Sequence, residues 1–370
     1  MKSILSLFYF AYFSLVGVYI MYVPKALIDF GYDAFSIGLI YSAAPFMRFV
    51  LPFIFKYYIQ LTDKIYLLSL LFTFISSILF LSTIESFTAH FIANLLFGAS
   101  MGITLPFVET ISLQQLSKKM YGKIRLWGSV GFIVISLYLG HIEPLPKETL
   151  YYLVLTGFFT LIFGYFVLQY DNVKIDKKNK IQSDNSFSLK KYWAFWSSIF
   201  LMQVAFGGFY TFFTIYQSTQ GLSPQLISYL WTFGVLCEII MLYFQGALLE
   251  RNLLSILKVA TLITSFRWLL LYLFPNSTEI TFFTQSLHAI SFALYHTAAI
   301  TYVFSLYTQK RLAQQFFLGI SFGLGGSIGA FIAGFVYGEY LFLFESIITL
   351  SAFGMLFIHD NRVNKMKSKK

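Results

Sequence analysis

Apolar residues in this chain fall into runs of about twenty or more, separated by short polar stretches. A helix rising 1.5 Å per residue needs about 20 apolar residues to cross a bilayer core. Twelve runs qualify: 4–28, 36–58, 64–84, 88–113, 124–141 and 149–170, then 192–217, 225–248, 253–273, 279–306, 312–337 and 339–359. The longest polar stretch, Asp171 to Lys191, lies between the sixth and seventh and reads as a linker. The pattern predicts an all-α membrane protein of two six-helix halves: 1–170, a cytoplasmic linker 171–191, 192–359, and a basic cytoplasmic tail 360–370. The first run reaches about Ile28 without an A-x-A cleavage site, so it reads as a span rather than a removed signal peptide.

Composition strengthens this reading. Hydrophobic residues make up 58% of the chain and charged residues 11%, and mean hydropathy is +0.71; a soluble surface needs more charge. The net charge of +10 raises the question of nucleic acid, but the bases sit in short stretches between apolar runs instead of forming a patch on a soluble fold. With both termini placed in the cytoplasm, 21 of the 26 bases fall on the inner side, Lys25 and Lys147 fall outside, and Arg48, Arg125 and Arg267 fall in or at the ends of spans. This is the asymmetry the positive-inside rule requires. It predicts a multi-pass protein of the cell (bacterial inner) membrane. The one cysteine, Cys237, excludes a disulfide framework and a Cys-based metal site, and is expected as a small buried thiol.

Ionisable groups inside spans cost roughly 3 kcal/mol or more and persist where they face a partner or a wet cavity. Glu238 sits mid-span in the eighth run, with Trp231 and Gln245 seven residues either side on one helix face. Arg267 lies late in the ninth run and His288 in the tenth. Glu238 is placed to pair with Arg267, with His288 bonding to either; moving the Arg would then switch the carboxylate's proton affinity. A static network that fixes helix packing is the alternative. In the first half Glu109 ends the fourth span and Arg125 opens the fifth. The pair reads either as a site for a substrate carboxylate or hydroxyl pair, or as an interfacial ion pair. Arg48, between Pro45 and Pro52, either binds an anionic substrate or extends to one membrane face. Gln203, Tyr210 and neighbouring polar residues stripe the seventh span, and Tyr9, Tyr12 and Tyr19 stripe the first. Such stripes line a cavity or bond helix to helix. Gly319, Gly323, Gly326, Gly334 and Gly338 allow close packing, or a hinge, in the eleventh. No nucleophile or metal-ligand spacing accompanies these residues, which argues against an enzyme.

Several segments resemble the phenylpropionate-permease-like branch of the major facilitator superfamily, related to lactose permease. Tyr121 to Phe132, YGKIRLWGSVGF, is the most specific. The opening YFAYFSLVGVYIMYVPKAL with GYDAFSIGLI, the tenth-span LHAISFALYHTAA and the eleventh-span SFGLGGSIGAFIAG extend the likeness over nearly the whole chain. The resemblance implies the major facilitator fold, substrate binding by Arg125 with Glu109, and a substrate and proton-coupling cluster of Glu238, Arg267 and His288. Ser291 stands where the permease has a proton-carrying Glu one turn after the His, which leaves Glu238 as first choice for the proton. Asp63-Lys64 follows the superfamily's loop pattern, but Ile59 replaces its Gly.

The expected function is secondary active transport by alternating access: proton-coupled import of a small organic solute. The resemblance to the permease branch slightly favours an aromatic acid over sugar or nucleoside, and Arg48 and Arg125 suit a carboxylate. Tyr12, Tyr210, Gln203 and Trp231 are expected to join Glu109, Arg125 and Arg48 in binding it. One proton moved through 100 mV supplies about 2.3 kcal/mol, roughly fifty-fold accumulation. No cofactor beyond the proton gradient, no metal and no nucleic acid is expected; the partners are the substrate and the bilayer, and the chain is expected to be a monomer. Efflux of an amphipathic compound by the same fold is the alternative, ahead of a membrane-embedded enzyme or a solute sensor.

Overall fold

The computed structural model describes residues 1–57, 61–169 and 188–367. Ile59 and most of the linker lie outside the described residues. Among them, twelve helices are long and apolar enough to cross a membrane. They are α1 (Lys2–Asp29), α2 (Ala34–Phe55), α3 (Asp63–Ser82), α4 (Phe87–Gln115), α5 (Met120–Ile142) and α6 (Pro146–Gln169), then α7 (Lys190–Thr219), α8 (Pro224–Phe244), α9 (Leu253–Leu273), α10 (Thr278–Leu306), α11 (Leu312–Val336) and α12 (Leu341–Lys365). The described residues contain no strand. Helix α12 continues unbroken into the segment expected as a tail, because no Gly or Pro interrupts 355–367.

Local sequence explains where helices begin and turn. The side chains of Thr62, Asn252 and Ser277 accept hydrogen bonds from the backbone N–H groups of Ile65, Ser255 and Ile280, starting α3, α9 and α10. Asp33 does the same for Ser36 at the head of α2. The turns α1–α2 and α7–α8 share one construction. Gly31 and Gly221 adopt φ of 92° and 85°, and each turn closes with a pair of bonds, Gly31 N–H to Ile28 O with Tyr32 N–H to Leu27 O, and Gly221 N–H to Ser218 O with Leu222 N–H to Gln217 O. This is a Schellman ending, in which only glycine takes the left-handed position without strain.

Within the first half, α1 packs on α5 and α6, α2 on α4, and α3 on α4 and α6; in the second, α9 packs on α10 and α12. Small residues set the closest approaches. A Cβ at Gly131 of α5 would stand 2.1 Å from Phe10 O of α1, and one at Gly329 of α11 would stand 2.4 Å from Val204 O of α7. Two compact units result: Met1–Ile181 with Thr211–Thr232, and Gln182–Tyr210 with Phe233–Lys370. Three helices widen into π turns, at Val18–Tyr22, Ala289–Leu294 and Gly319–Gly325. Such turns recur where a helix carries a functional group, and the second follows His288 directly.

Candidate functional site

In the second unit, α8, α9 and α10 bring Glu238, Arg267 and His288 together. Arg267 is fully buried. Its guanidinium lies 4.6 Å from the Phe209 ring centroid and 4.3 Å from that of Trp268, so aromatic faces replace part of its hydration. Arg267 Nη1 donates to His288 Nδ1 at 3.1 Å and to Ser291 Oγ at 3.1 Å, while Nη2 donates to Gln285 Oε1 at 3.2 Å. A guanidinium only donates, so His288 Nδ1 accepts and the ring proton sits on Nε2. That nitrogen faces Glu238 Oε2 at 3.8 Å. The order is therefore Glu238, His288, Arg267. The direct Glu238–Arg267 pairing expected from the sequence is replaced by one through the imidazole, because Gln285, His288 and Ser291 of α10 enclose the guanidinium.

His288 also stacks on Phe292, with centroids 5.2 Å apart and planes at 8°. Phe206 contacts both rings, at 6.1 and 6.3 Å. Tyr210 stacks on Phe206 and meets Phe292 edge-on. This is an aromatic wall beside an imidazole and a carboxylate. Gln203 is buried with its stem against Gly325 of α11. The face shared by Trp231, Glu238 and Gln245 does not act as one surface. Trp231 is buried in the other unit and donates its indole N–H to Thr214 Oγ1 at 3.0 Å. Gln245 donates to Thr297 Oγ1. Cys237 is half-buried, not fully buried as expected, since its neighbours Leu236 and Ile240 lie on the exposed side of α8.

In the first unit, Arg125 Nε lies 3.3 Å from Glu109 Oε1, and each side chain is 31% exposed. The guanidinium sits over Phe13, 4.1 Å from its centroid, and 5.3 Å from that of Tyr9. Tyr9 donates to Ser112 Oγ, and Tyr12 donates to Met101 O at 3.3 Å. The expected Arg125–Glu109 pair is thus present, held by aromatic faces of α1. Tyr12 is buried and its hydroxyl is turned to the α4 backbone. Arg48 is exposed and makes no ion pair among the described residues. Its Cγ lies 3.5 Å from where a Cβ at Gly102 would stand, so the missing side chain of α4 leaves room for its stem.

The sequence reading missed Glu345. It lies in the second turn of α12, 1% exposed. A carboxyl in the run LFLFESIITL was the available signal, but its place near a helix end resembles an interfacial residue. Among the described residues no group of three or more His, Cys, Asp or Glu could hold a metal ion.

Buried charge, aromatic walls and twelve apolar helices define a membrane transporter of the major facilitator fold. The sequence model of the MFS_1 like family matches residues 3–346, and the chain belongs to that family. It is 25% identical, over 94% of its length and 95% of the relative's, to a probable 3-phenylpropionic acid transporter of Escherichia coli (strain K12). It is 24% identical to an uncharacterized transporter of Bacillus subtilis (strain 168), over 76% of this chain and 73% of that one. Among solved structures, a mutant of the nucleoside transporter NupG superposes with a TM-score of 0.83 at 18% identity, covering 97% of this chain and 99% of that one. At that identity the likeness is one of fold.

Proposed function

We propose that the protein imports a small aromatic carboxylic acid together with a proton across the bacterial inner membrane, with both termini in the cytoplasm. The observation that carries the proton coupling is the Glu238–His288–Arg267 chain: a partly exposed carboxylate joined through an imidazole to a buried guanidinium. Protonating Glu238 removes the charge that His288 faces, and the change is felt at Arg267 through one ring. The aromatic acid reading rests on Arg48 and Arg125 as carboxylate partners, on the ring-lined surroundings of both clusters, and on the 3-phenylpropionic acid transporter among the relatives. In this reading Arg48, Arg125 and Glu109 serve the substrate in the first half, with Tyr12 shaping the wall behind them. Tyr210 and Gln203, beside the second cluster, and Trp231, in the first unit, complete the set of proposed substrate contacts.

The test is external pH in a lightly buffered suspension of de-energised cells expressing the protein, with 3-phenylpropionate, a sugar and a nucleoside added in turn. Alkalinisation with 3-phenylpropionate, lost in Glu238→Gln, is the expected result. Alkalinisation with sugar or nucleoside alone overturns the substrate class. No pH change with any of them overturns proton coupling.

A further inference from the structure

Four groups of the second half stand at graded depths. Counted from the start of α12, the end of α9, the start of α10 and the start of α8, Glu345 is four residues in, Arg267 six, His288 ten and Glu238 fourteen. At 1.5 Å per residue these are roughly 6, 9, 15 and 21 Å. The middle and deep members form the chain described above. Glu345 extends it toward the α9–α10 end.

Its surroundings are specific. The carboxyl rests against the Gly208–Phe209 backbone of α7, and a Cβ at Gly208 would stand 2.1 Å from Glu345 Oε1. Leu341 and Ala333 close the same space. No side chain among the described residues donates a hydrogen bond to either carboxyl oxygen. One residue along, Ser346 and Ser265 exchange hydrogen bonds, each hydroxyl donating to the other's carbonyl at 2.9 Å. This fixes α12 against α9 with Glu345 beside the turn that bears Arg267. Helix α7 joins the two: Glu345 Oε1 abuts Gly208, and the Arg267 guanidinium lies 4.6 Å from the ring of the next residue, Phe209. Of the titratable groups nearby, His288 of α10 accepts from Arg267, and Tyr210 of α7 stacks on Phe206. Arg267 Nε in turn finds no acceptor among the described residues. A buried acid to which no side chain donates, and a buried guanidinium N–H without an acceptor among the described residues, thus lie on adjoining, pinned helices. An isolated carboxylate is costly in such a place, and so is an unmet guanidinium N–H; protonation relieves the first and a carboxylate partner relieves both.

We infer that Glu345 is a second proton-binding site of this transporter, and that Arg267 exchanges partners between it and the His288–Glu238 pair during transport. This rests on the proton-coupled reading above. In the arrangement seen here Glu345 holds the proton and Arg267 faces Gln285, His288 and Ser291. In the other arrangement the Glu345 O–H bond breaks, the proton passes to water admitted from the α9–α10 end, and Arg267 neutralises the carboxylate left behind. Rebinding of a proton from water restores the first. Arg267 never needs to lose its own proton; it follows the negative charge.

The test uses the full-length protein in liposomes, with whichever of 3-phenylpropionate, sugar or nucleoside the wild type accumulates under an imposed pH gradient. Two readouts are taken on wild type, Glu345→Gln and Glu345→Asp: substrate-free infrared absorption of the protonated carboxyl C=O, and net uptake against equilibrium exchange. The inference expects the C=O band to be lost in Glu345→Gln, net uptake to fall at least ten-fold, and exchange to stay within about two-fold, because a permanently neutral group still lets loaded carrier cycle. Glu345→Asp keeps net uptake with a displaced pH profile. An unchanged band in Glu345→Gln overturns the inference, as does net uptake equal to wild type. Loss of exchange in both variants overturns it in favour of a packing role. If the wild type accumulates none of the three solutes, the proton-coupled reading itself falls; if Glu345→Gln alone behaves as wild type, only this inference does.

Discussion

Arg125 and Arg267 are both guanidiniums held over rings, yet they face different demands. Arg125 is about a third exposed and shares its charge with Glu109. Arg267 is fully buried and divides its donors among three α10 side chains. Arg125→Lys keeps the charge but loses the planar stack on Phe13 and the forked donors. Uptake assays should show KM raised at least ten-fold, about 1.4 kcal/mol, with expression unchanged; an unaltered KM would remove Arg125 from the substrate site. Gln285→Leu takes one acceptor from a buried cation, and the melting temperature of the purified protein should drop by the equivalent of about 1–3 kcal/mol. Much of this was legible in the sequence: an ionisable residue inside an apolar run is conspicuous, and Glu109, Arg125, Glu238, Arg267 and His288 were all found that way. The order of the second cluster was not, because spacing within one helix says nothing of rotation between helices. Glu345 escaped because depth along a helix cannot separate a carboxyl in the headgroup region from one tucked behind a glycine on a neighbouring helix.

Helices were read with ends good to a few residues, since bilayer thickness fixes their length. The repeat between halves was nearly invisible in the residues and appears in how the backbone is built. The Gly31 and Gly221 turns share one bonding pattern, and α1–α5 and α7–α11 share glycine crossings. In each crossing the atom met is backbone, which has no rotamer to yield. Gly131→Ala and Gly329→Ala should therefore force helices apart at a cost of about 1–3 kcal/mol. Gly354→Ala, with nothing within 4 Å of the added carbon, should hold or raise stability. Equal melting temperatures for all three would refute close packing as the reason for these glycines. The head of α2 offers a pH test outside the spans. Hydrogen bonds from Ser36 hold the Asp33 carboxyl below its ordinary value of 3.8. Its contribution is present above that value and lost as pH falls through the lowered one. The melting difference between wild type and Asp33→Ala should be small, given the exposed site, and should vanish in acid.

For the whole molecule, charge balance ties the substrate to the driving force. A neutral sugar or nucleoside carried with one proton moves one net charge. A potential of 100 mV, inside negative, then supplies about 2.3 kcal/mol, or roughly fifty-fold accumulation. A monocarboxylate carried with one proton moves no net charge. The potential then does no work on the cycle, and only the pH difference drives it, at about 1.4 kcal/mol or ten-fold per pH unit. Twelve spans bearing Glu238, His288 and Arg267 in one half and Arg125 with Glu109 in the other serve either case by composition alone. The aromatic acid reading commits to the second. In liposomes, a potassium diffusion potential at equal pH should leave 3-phenylpropionate near its equilibrium level, and an inward-directed proton gradient at zero potential should concentrate it about ten-fold per unit. Accumulation that follows the potential with no pH gradient would mean that net positive charge enters in each cycle. That result would require a neutral substrate or more than one proton, and a second proton would need an acid besides Glu238, for which Glu345 is the buried candidate on α12.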